Sequence, residues 1–227
     1  MIRIAHLLRP AQGGMLQQVR SLLMDPETKT FLAAPPRELA ALGGDFPLPE
    51  GDGLKAQLLG GWAAGRWARS VGAQLLHGHG LKRLPLYIVA AKTARLPLMI
   101  TLHNLAPNTP FLGLLKQASA VIAVSDAVAR GVPVPCQIIH NGIDIEKFSN
   151  LPTKFEARER LGWPQEKKLV LSIARLSKEK GLDVLVEAVR ELDLVLYLAG
   201  DGPERTRLTE ATLLGHRDDK SLLFSGC

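Results

Sequence analysis

The chain has 227 residues, of which 46% are apolar and 22% charged, a composition typical of globular proteins that excludes a disordered chain. Residues 1–150 carry fifteen Lys and Arg against nine Asp and Glu, whereas residues 151–227 carry thirteen of each, so the formal excess of +6 is entirely N-terminal. A basic part of this kind indicates a phosphate-bearing substrate or an anionic membrane surface, or is an ordinary solvated surface. No Lys and Arg block interleaves with aromatic residues, so nucleic acid is not a predicted partner.

The N-terminus and the cysteines exclude several other classes of protein. Arg3 and His6 interrupt the first apolar run too early for a signal peptide, and no uncharged apolar run reaches the length of a membrane helix. The two cysteines, Cys136 and Cys227, have no zinc-ligand spacing, so neither a disulfide framework nor a structural metal is predicted. The sequence therefore predicts a cytoplasmic protein.

Apolar runs and helical periodicities alternate along the first two thirds of the chain. The predicted strands are Ile2–Leu8, Thr30–Ala34, Gln74–His77, Leu98–Leu102, Ala120–Val124 and Gln137–His140. The predicted helices are Met15–Met24, Gly53–Ser70 and Leu84–Ala94, and Ser125 is placed as the N-cap of one more helix. Strands that alternate with helices predict a parallel sheet covered on both faces.

The same alternation restarts after a charged segment that contains two prolines. Strands are predicted at Leu169–Ile173, Leu194–Ala199 and Leu222–Phe224, and helices at 182–192 and Pro203–Leu214. We therefore divide the chain into an N-terminal α/β domain (1–145), a linker (146–165) and a C-terminal α/β domain (166–227). Because doubly wound nucleotide-binding sheets have five or six strands, three predicted strands indicate an incomplete second domain.

Two loops of the C-terminal part carry the residues that an anionic diphosphate requires. Arg175 and Lys180 lie between a predicted strand and the helix that follows it, and Gly200 and Gly202 follow the next strand. Cations and exposed backbone N–H groups at the carboxyl ends of parallel strands bind phosphates. The alternative is a pair of ordinary surface cations beside a tight turn.

Gly13 and Gly14 follow the first predicted strand and are candidates for a second contact with phosphate. Small residues there let backbone N–H groups approach a phosphate at the start of the next helix, or they simply form a tight turn. His77 and His79 share one strand face and superficially resemble a pair of metal ligands. No third ligand is evident beside them in the sequence, so packing, or lining of an acceptor site, is favoured over metal binding.

Seven short motifs follow one another along nearly the whole chain. They are Gly13-Gly14-Met15, Leu76–Gly80, Leu98–Asn104, Val121–Ser125, His140–Asp144, Ala174–Gly181 and Ala199–Pro203. In this order they resemble the retaining GT-B glycosyltransferases of family 4, also called group 1 glycosyltransferases. The resemblance implies two Rossmann-like domains, the first holding an acceptor and the second a nucleotide-sugar donor of the UDP or GDP type.

The resemblance also implies roles for single residues. Arg175 and Lys180, together with Gly13 and Gly14, are expected at the donor diphosphate, and Gly200 and Gly202 in a loop on the donor side. His103 is expected to reach the donor sugar near the reaction centre. Asn141, Gly142 and Asp144 are similar to the family's hinge between the domains. Neither a metal nor another cofactor is expected, because cations stabilise the leaving phosphate.

The chain departs from the family pattern in one respect. The family's Glu-x7-Glu segment, whose glutamates hold the sugar and the ribose, is expected beyond Cys227. A non-catalytic, truncated remnant that binds only phosphate or an acceptor is therefore the alternative to a sugar transferase, and a related epimerase is a third reading. The acceptor stays open; a lipid-linked or cell-surface glycan precursor, reached at a membrane face, fits the basic N-terminal part.

Overall fold

A computed structural model describes residues 1–11, 13–105 and 111–227. The chain forms two compact units, Met1–Gly142 and Ile143–Cys227, each of which has its own parallel sheet. The predicted α/β fold class with two parallel sheets is therefore confirmed. Among the described residues, no helix is both long and apolar enough to cross a membrane.

The first unit is built on a parallel sheet of seven strands in the order β3-β2-β1-β4-β5-β6-β7. Its strands are β1 (Ile2–Leu8), β2 (Thr28–Ala34), β3 (Phe46–Pro47), β4 (Leu75–His79), β5 (Leu98–Leu102), β6 (Ala120–Ala123) and β7 (Gln137–Ile138). Its helices are α1 (Gly14–Leu23), α2 (Pro36–Leu42), α3 (Leu54–Ser70), α4 (Leu84–Ala94) and α5 (Asp126–Arg130), with a 3-10 helix at Leu112–Gln117. The order reverses beside β1, and ligands bind at such a switch point in open α/β sheets.

Local sequence accounts for these elements. Ser125 accepts a hydrogen bond from the Val128 backbone N–H and caps α5 as predicted. Helices α3 and α4 pack closely because α3 presents glycine to its neighbour: a Cβ on Gly61 would lie 2.6 Å from the Leu86 carbonyl oxygen. Helix α2 and strand β3 were not predicted, since both are too short for periodicity to reveal.

The second unit has a parallel sheet of three strands in the order β10-β9-β8. The strands are β8 (Lys168–Ile173), β9 (Leu194–Ala199) and β10 (Thr212–Gly215), and the helices are α6 (Lys154–Leu161), α7 (Leu182–Val189) and α8 (Lys220–Gly226), with 3-10 turns at Ile145–Phe148, Lys178–Lys180 and Arg205–Arg207. One cluster buries Leu182 and Val186 of α7 against Leu196 and Leu198 of β9. A second cluster packs other side chains of β9 against α8 and the residues after α6, so both faces of the sheet are covered.

Two predicted elements of this unit were wrong. The segment Pro203–Leu214 is not a helix, because it forms a short 3-10 turn and then β10, which pairs with the edge of β9. A helix there would leave the backbone groups of that edge unpaired. The segment Leu222–Phe224 is not a strand but part of α8, whose Leu223 side chain is fully buried. An isolated apolar triplet does not distinguish a strand from a buried helix.

The segment 146–165, predicted as a linker, contains α6. Thr153 and Glu156 form a capping box: the Thr153 hydroxyl accepts from the Glu156 backbone N–H, and the Glu156 carboxylate accepts from that of Thr153. The Thr-x-x-Glu spacing was visible in the sequence and could have predicted this helix.

A buried arginine joins α6 to the last residues of the chain. The Arg158 side chain lies inside the second unit, only 3% exposed. Its guanidinium donates hydrogen bonds to four backbone carbonyl oxygens, those of Pro164, Gln165, Lys167 and Gly226. Nearby, the rings of Trp163 and Tyr197 stack at a centroid distance of 4.2 Å. A single cation thus satisfies carbonyl groups that no helix or strand accounts for.

We expect Arg158→Met to lower the free energy of unfolding of the second unit by about 3 kcal/mol, because buried carbonyl oxygens lose their donors. Denaturant titration followed by the fluorescence of Trp163, which lies in this unit, measures the effect. Arg160→Met, at an exposed position of the same helix, is the matched control and should change stability by less than about 0.5 kcal/mol. Equal stability of the two variants would contradict the role assigned to Arg158.

Candidate functional site

A cluster of histidines lies near the carboxyl ends of three adjacent strands in the first unit. His6 is on β1, His77 and His79 are on β4, and His103 directly follows β5. Parallel pairing sets His6 beside His77. The rings of His77 and His79 lie 4.1 Å apart between centroids, and those of His79 and His103 lie 5.5 Å apart.

The cluster is linked by a chain of ring-to-ring contacts. His6 Nδ1 lies 3.0 Å from His79 Nε2, and His79 Nδ1 lies 3.3 Å from His103 Nε2. His77 Nε2 contacts the Thr101 hydroxyl at 2.7 Å. Two buried ring nitrogens, His6 Nε2 and His103 Nδ1, have no hydrogen-bond partner among the described residues. The chain of contacts therefore ends in a buried, unpartnered nitrogen at each end, on His6 and on His103.

Burial keeps the four rings neutral. His6, His77 and His79 are at most 4% exposed, and His103 is half-buried. Desolvation lowers the pKa of His6 to about 4, and it lowers the pKa of His103 to about 4 with a further contribution from the charge of Arg9. Desolvation, and then the neighbouring histidines, also hold the pKa values of His77 and His79 well below 6.5. Near pH 7 the cluster offers hydrogen bonds rather than charge.

The reason given above against a metal pair was wrong in one respect, because the fold supplies a third ring. One nitrogen from each of His6, His77 and His79 lies within 4.8 Å of the others. A tetrahedral zinc ion holds its nitrogens at about 2.0–2.1 Å, so the rings would have to move closer together. It would also have to replace the contacts that His79 makes to two other rings. The observed contacts describe a hydrogen-bonded stack, and the absence of a metal site stays a prediction.

Arg9 and Asn104, which the sequence analysis did not select, adjoin His103. Oriented to satisfy both neighbours, the Asn104 amide donates to the His103 carbonyl oxygen at 3.0 Å and accepts from Arg9 Nη2 at 3.1 Å. Gly80 leaves room for this arginine, since a Cβ at that position would lie 2.6 Å from Arg9 Nε. A basic residue just beyond the first strand is the signal that could have identified Arg9.

Gly13 is the exposed N-cap of α1, and the exposed Gly14 is the first residue of that helix. Gly13 has a φ of 62°, which disfavours other residues, and precedes the first turn of the helix. A Cβ on either glycine would meet nothing within 4 Å. The glycines are therefore not required by packing, and the backbone at the start of α1 is open to approach.

Arg175 and Lys180 are both exposed in the loop that joins β8 to α7. Glu179 lies between them in sequence; hydrogen bonds lower its pKa, and the charges of Arg175 and Lys180 lower it further. Gly181, with a φ of 59°, ends the 3-10 turn and begins α7. With the exposed Lys178, the loop thus holds three cations at the carboxyl end of its sheet, two of which are the predicted site residues.

Gly200 and Gly202 follow β9 and lie against this loop. A Cβ on Gly200 would be 1.8 Å from the Ala174 carbonyl oxygen, and one on Gly202 would be 2.2 Å from that of Leu176. The Leu176 N–H donates to the Asp201 carbonyl oxygen at 3.0 Å. Close backbone packing therefore already requires both glycines, and it fixes the turn after β9 beside the Arg175 loop.

The remaining predicted site residues lie where the two units meet along the chain. The division into units falls between Gly142 and Ile143. Asn141, Gly142 and Asp144 are exposed, and Asp144 precedes the 3-10 turn Ile145–Phe148. Their role as a hinge stays a prediction. The first unit contains His103, Gly13 and Gly14, whereas the second brings Arg175, Lys180, Gly200 and Gly202 together.

Solved structures resemble this fold. HepE of Anabaena, in a crystal structure with UDP, matches with a TM-score of 0.78 and 22% sequence identity; the alignment covers 100% of this chain and 72% of HepE. The glycosyltransferase from Rickettsia africae matches with a TM-score of 0.77 and 16% identity, covering 99% of this chain and 70% of that protein. At these identities the likeness shows the fold.

Sequence comparison identifies glycosyltransferases that are similar to this chain. The putative teichuronic acid biosynthesis glycosyltransferase TuaC of Bacillus subtilis is 31% identical over 139 residues, which are 54% of this chain and 36% of TuaC. The alpha-D-kanosaminyltransferase of Streptomyces kanamyceticus is 26% identical over 205 residues, 70% of this chain and 52% of that enzyme. The chain thus spans about half or less of the length of these relatives.

Family profiles match both units. Residues 153–219 match the profile of the group 1 glycosyl transferases, and residues 24–147 match that of Glycosyltransferase Family 4. The Family 4 match, residues 24–147, alone includes more than half of the chain. The two matches follow each other in the order of the motifs described above. The chain belongs to Glycosyltransferase Family 4.

Proposed function

We propose that the chain takes part in transferring a sugar from a nucleotide-diphosphate-sugar to an acceptor, with retention of the anomeric configuration. The observation that carries this proposal is the exposed pair Arg175 and Lys180 at the carboxyl end of β8. Sugar transfer leaves negative charge on the departing diphosphate, and two fixed cations stabilise that charge as it develops. UDP is the first nucleotide to test, because HepE was crystallised with it.

The loop geometry supports this assignment of the cations. A phosphate-bearing ligand must be able to reach the cations that bind it, and the side chains of Arg175 and Lys180 are both exposed. Close packing of Gly200 and Gly202 against Ala174 and Leu176 fixes the neighbouring turn, so a diphosphate would meet a preformed loop. Gly13 and Gly14, with the start of α1 and the charge of Arg9 nearby, supply a second approach to phosphate in the first unit.

His103 is the residue that we propose to contact the donor sugar. Its ring is neutral near pH 7, and its Nδ1 atom has no partner among the described residues. A sugar hydroxyl can donate to or accept from such a nitrogen, depending on which ring nitrogen carries the hydrogen. The contacts to His79 and His6 link each of these two cases to one direction of the hydrogen bonds.

Neutral His79 has a single N–H, so it donates to only one of its two neighbours. If it donates from Nε2 to His6, then His6 must carry its hydrogen on Nε2, where a buried donor is left without a partner. If it donates from Nδ1 to His103, the unpartnered atom of His6 is an acceptor instead. The unpartnered donor then lies at the other end, on His103 Nδ1, where a bound sugar oxygen would satisfy it, whereas the His6 ring is buried inside the unit. We therefore favour the second arrangement for the sugar-bound protein. His103 then presents Nδ1–H, a donor, to a sugar oxygen.

The acceptor is the less constrained part of the proposal. A lipid-linked or cell-surface glycan precursor fits the positive charge of the N-terminal part, and the alternative remains a chain that binds phosphate or acceptor without transfer. Ligand binding tests the proposal before the acceptor is known, because diphosphate and sugar contacts are assigned to different residues.

We expect UDP to bind the chain in isothermal calorimetry, and we expect Arg175→Ala and Lys180→Ala each to weaken that binding on the order of ten-fold, because each removes a charge-assisted contact. Lys178→Ala, an exposed lysine of the same loop, is the matched control and should leave the dissociation constant within about two-fold. His103→Ala should weaken UDP-glucose but not UDP. Binding that is insensitive to Arg175 and Lys180 would refute the diphosphate site, and UDP binding that the sugar does not change would favour the non-catalytic alternative.

We expect His6, His79 and His103 all to carry their hydrogen on Nδ1 near pH 7.5 when UDP-glucose is bound, because the sugar then satisfies the Nδ1–H of His103. Nitrogen-15 chemical shifts of the labelled chain report the tautomer, and single His→Gln variants assign the signals. His6→Gln should change the tautomer balance of His103 through His79, whereas His140→Gln, at an exposed position, should not. A predominant Nε2–H form of His103 in the unsubstituted protein bound to UDP-glucose would show that the hydrogen bonds run in the opposite direction.

A further inference from the structure

Helix α3 has an inward face made almost entirely of small residues. Its buried positions are Gln57, Gly61, Ala64, Gly65 and Ala68. A Cβ on Gly61 or Gly65 would lie 2.6 Å from a carbonyl oxygen of α4, so the two helices pack backbone against backbone. Four of the five large apolar side chains of α3, all but the half-buried Trp67, consequently lie on its other side.

The outward face of α3 carries a group of large apolar side chains. Leu59 is 60% exposed and Trp62 is 52% exposed, and Leu54 and Leu58 are also exposed beside them. Single exposed leucines are common on protein surfaces, but four large apolar side chains within nine residues of one helix form a patch. Such patches mark surfaces that bind a partner.

Three cations share this outward face. Lys55, Arg66 and Arg69 are exposed, and at 100° per residue they lie on the same side of the helix as Trp62. The guanidinium of Arg66 lies over the Trp62 ring, 4.9 Å from its centroid. The helix contains no Asp or Glu, so its outward face is apolar and positive without compensation on the helix itself.

We propose that the outward face of α3 docks the protein on an anionic lipid surface. Apolar side chains, a tryptophan and basic residues on one helical face are the combination that lies in the plane of a membrane interface. The indole fits the headgroup level, the leucines reach the acyl boundary, and the cations meet lipid phosphates. From Lys55 to Arg69 the helix extends about 21 Å, so several lipids can be contacted at once.

Charge argues against a second copy of this chain as the occupant. Two outward faces placed against each other would bring six cations together with no carboxylate of α3 to offset them. An anionic bilayer supplies both the negative charge and the apolar layer. The proposal does not depend on sugar transfer, because it concerns a surface remote in sequence from Arg175 and Lys180.

Vesicle co-sedimentation of the full chain tests this docking surface. We expect binding to vesicles of phosphatidylcholine with phosphatidylglycerol, weak binding to phosphatidylcholine alone, and a blue shift of fluorescence on binding. That shift reports Trp62, since Trp163 is buried and Trp67 is half-buried. The variant R66Q/R69Q should lower the partition coefficient about twenty-five-fold, because each cation near an anionic surface contributes roughly five-fold. The variant L59S/W62S should lower it on the order of ten-fold or more.

Two control variants remove exposed cations or exposed apolar side chains that lie outside α3. R37Q/R130Q removes two exposed cations from other helices of the first unit, and M24S/L192S removes two exposed apolar side chains. Both should bind vesicles as the unsubstituted chain does, with circular dichroism confirming that every variant is folded. Absence of binding to any vesicle, or equal binding by all variants, would overturn the proposal. So would a dimer in light scattering that L59S/W62S dissociates, since that outcome assigns the face to self-association.

Discussion

Parallel pairing aligns the carboxyl ends of β1, β4 and β5, and this alignment gathers residues that lie up to 97 positions apart in sequence around one group of rings. His6 comes beside His77 through strand register, and His103 comes beside His79 because β5 ends next to β4. Once these rings are buried, water no longer satisfies their nitrogens, so the rings must satisfy one another. Burial also makes the protonated form costly, and for this reason the cluster acts through directed hydrogen bonds.

In the second unit, backbone contacts and not side-chain rings hold the candidate site together. Its sheet ends in two loops that touch, and the contact between the loops is possible only because positions 200 and 202 lack side chains. Since the Arg175 loop is held by this contact and by the hydrogen bond from Leu176 to Asp201, its cations start from a fixed backbone. Preorganised charge binds an anion with a smaller loss of conformational entropy than charge on a mobile loop does.

Sequence patterns predicted the elements whose cause is local. The long strands, the amphipathic helices and the Ser125 cap follow from periodicity and capping chemistry, and each is found in the structure. The features that the sequence did not reveal depend on long-range pairing. The position of the His6 ring beside His77 is set by the register between β1 and β4. The position of Arg9 in the site depends on the chain passing close to Gly80. The errors after Pro203 have the same origin. Whether that segment forms a helix or a strand is decided by the open edge of β9, which no local pattern encodes.

Positive charge and hydrogen-bonding geometry are thus supplied by different residue types. The buried histidines of the first unit are neutral near pH 7, so the charge beside them comes from Arg9, and the charge in the second unit comes from Arg175 and Lys180. Arginine and lysine stay charged across the neutral range, whereas a histidine with its usual pKa would not. The positive charge around a phosphate bound by such cations would therefore not change with pH across the neutral range. A neutral His103 would remain free to orient an uncharged sugar. If His103 were protonated instead, its charge would repel that of Arg9, and its Nε2–H would have to donate to His79, which reverses the direction of the hydrogen bonds. The low pKa that burial and the charge of Arg9 give His103 is consequently a condition for its proposed role.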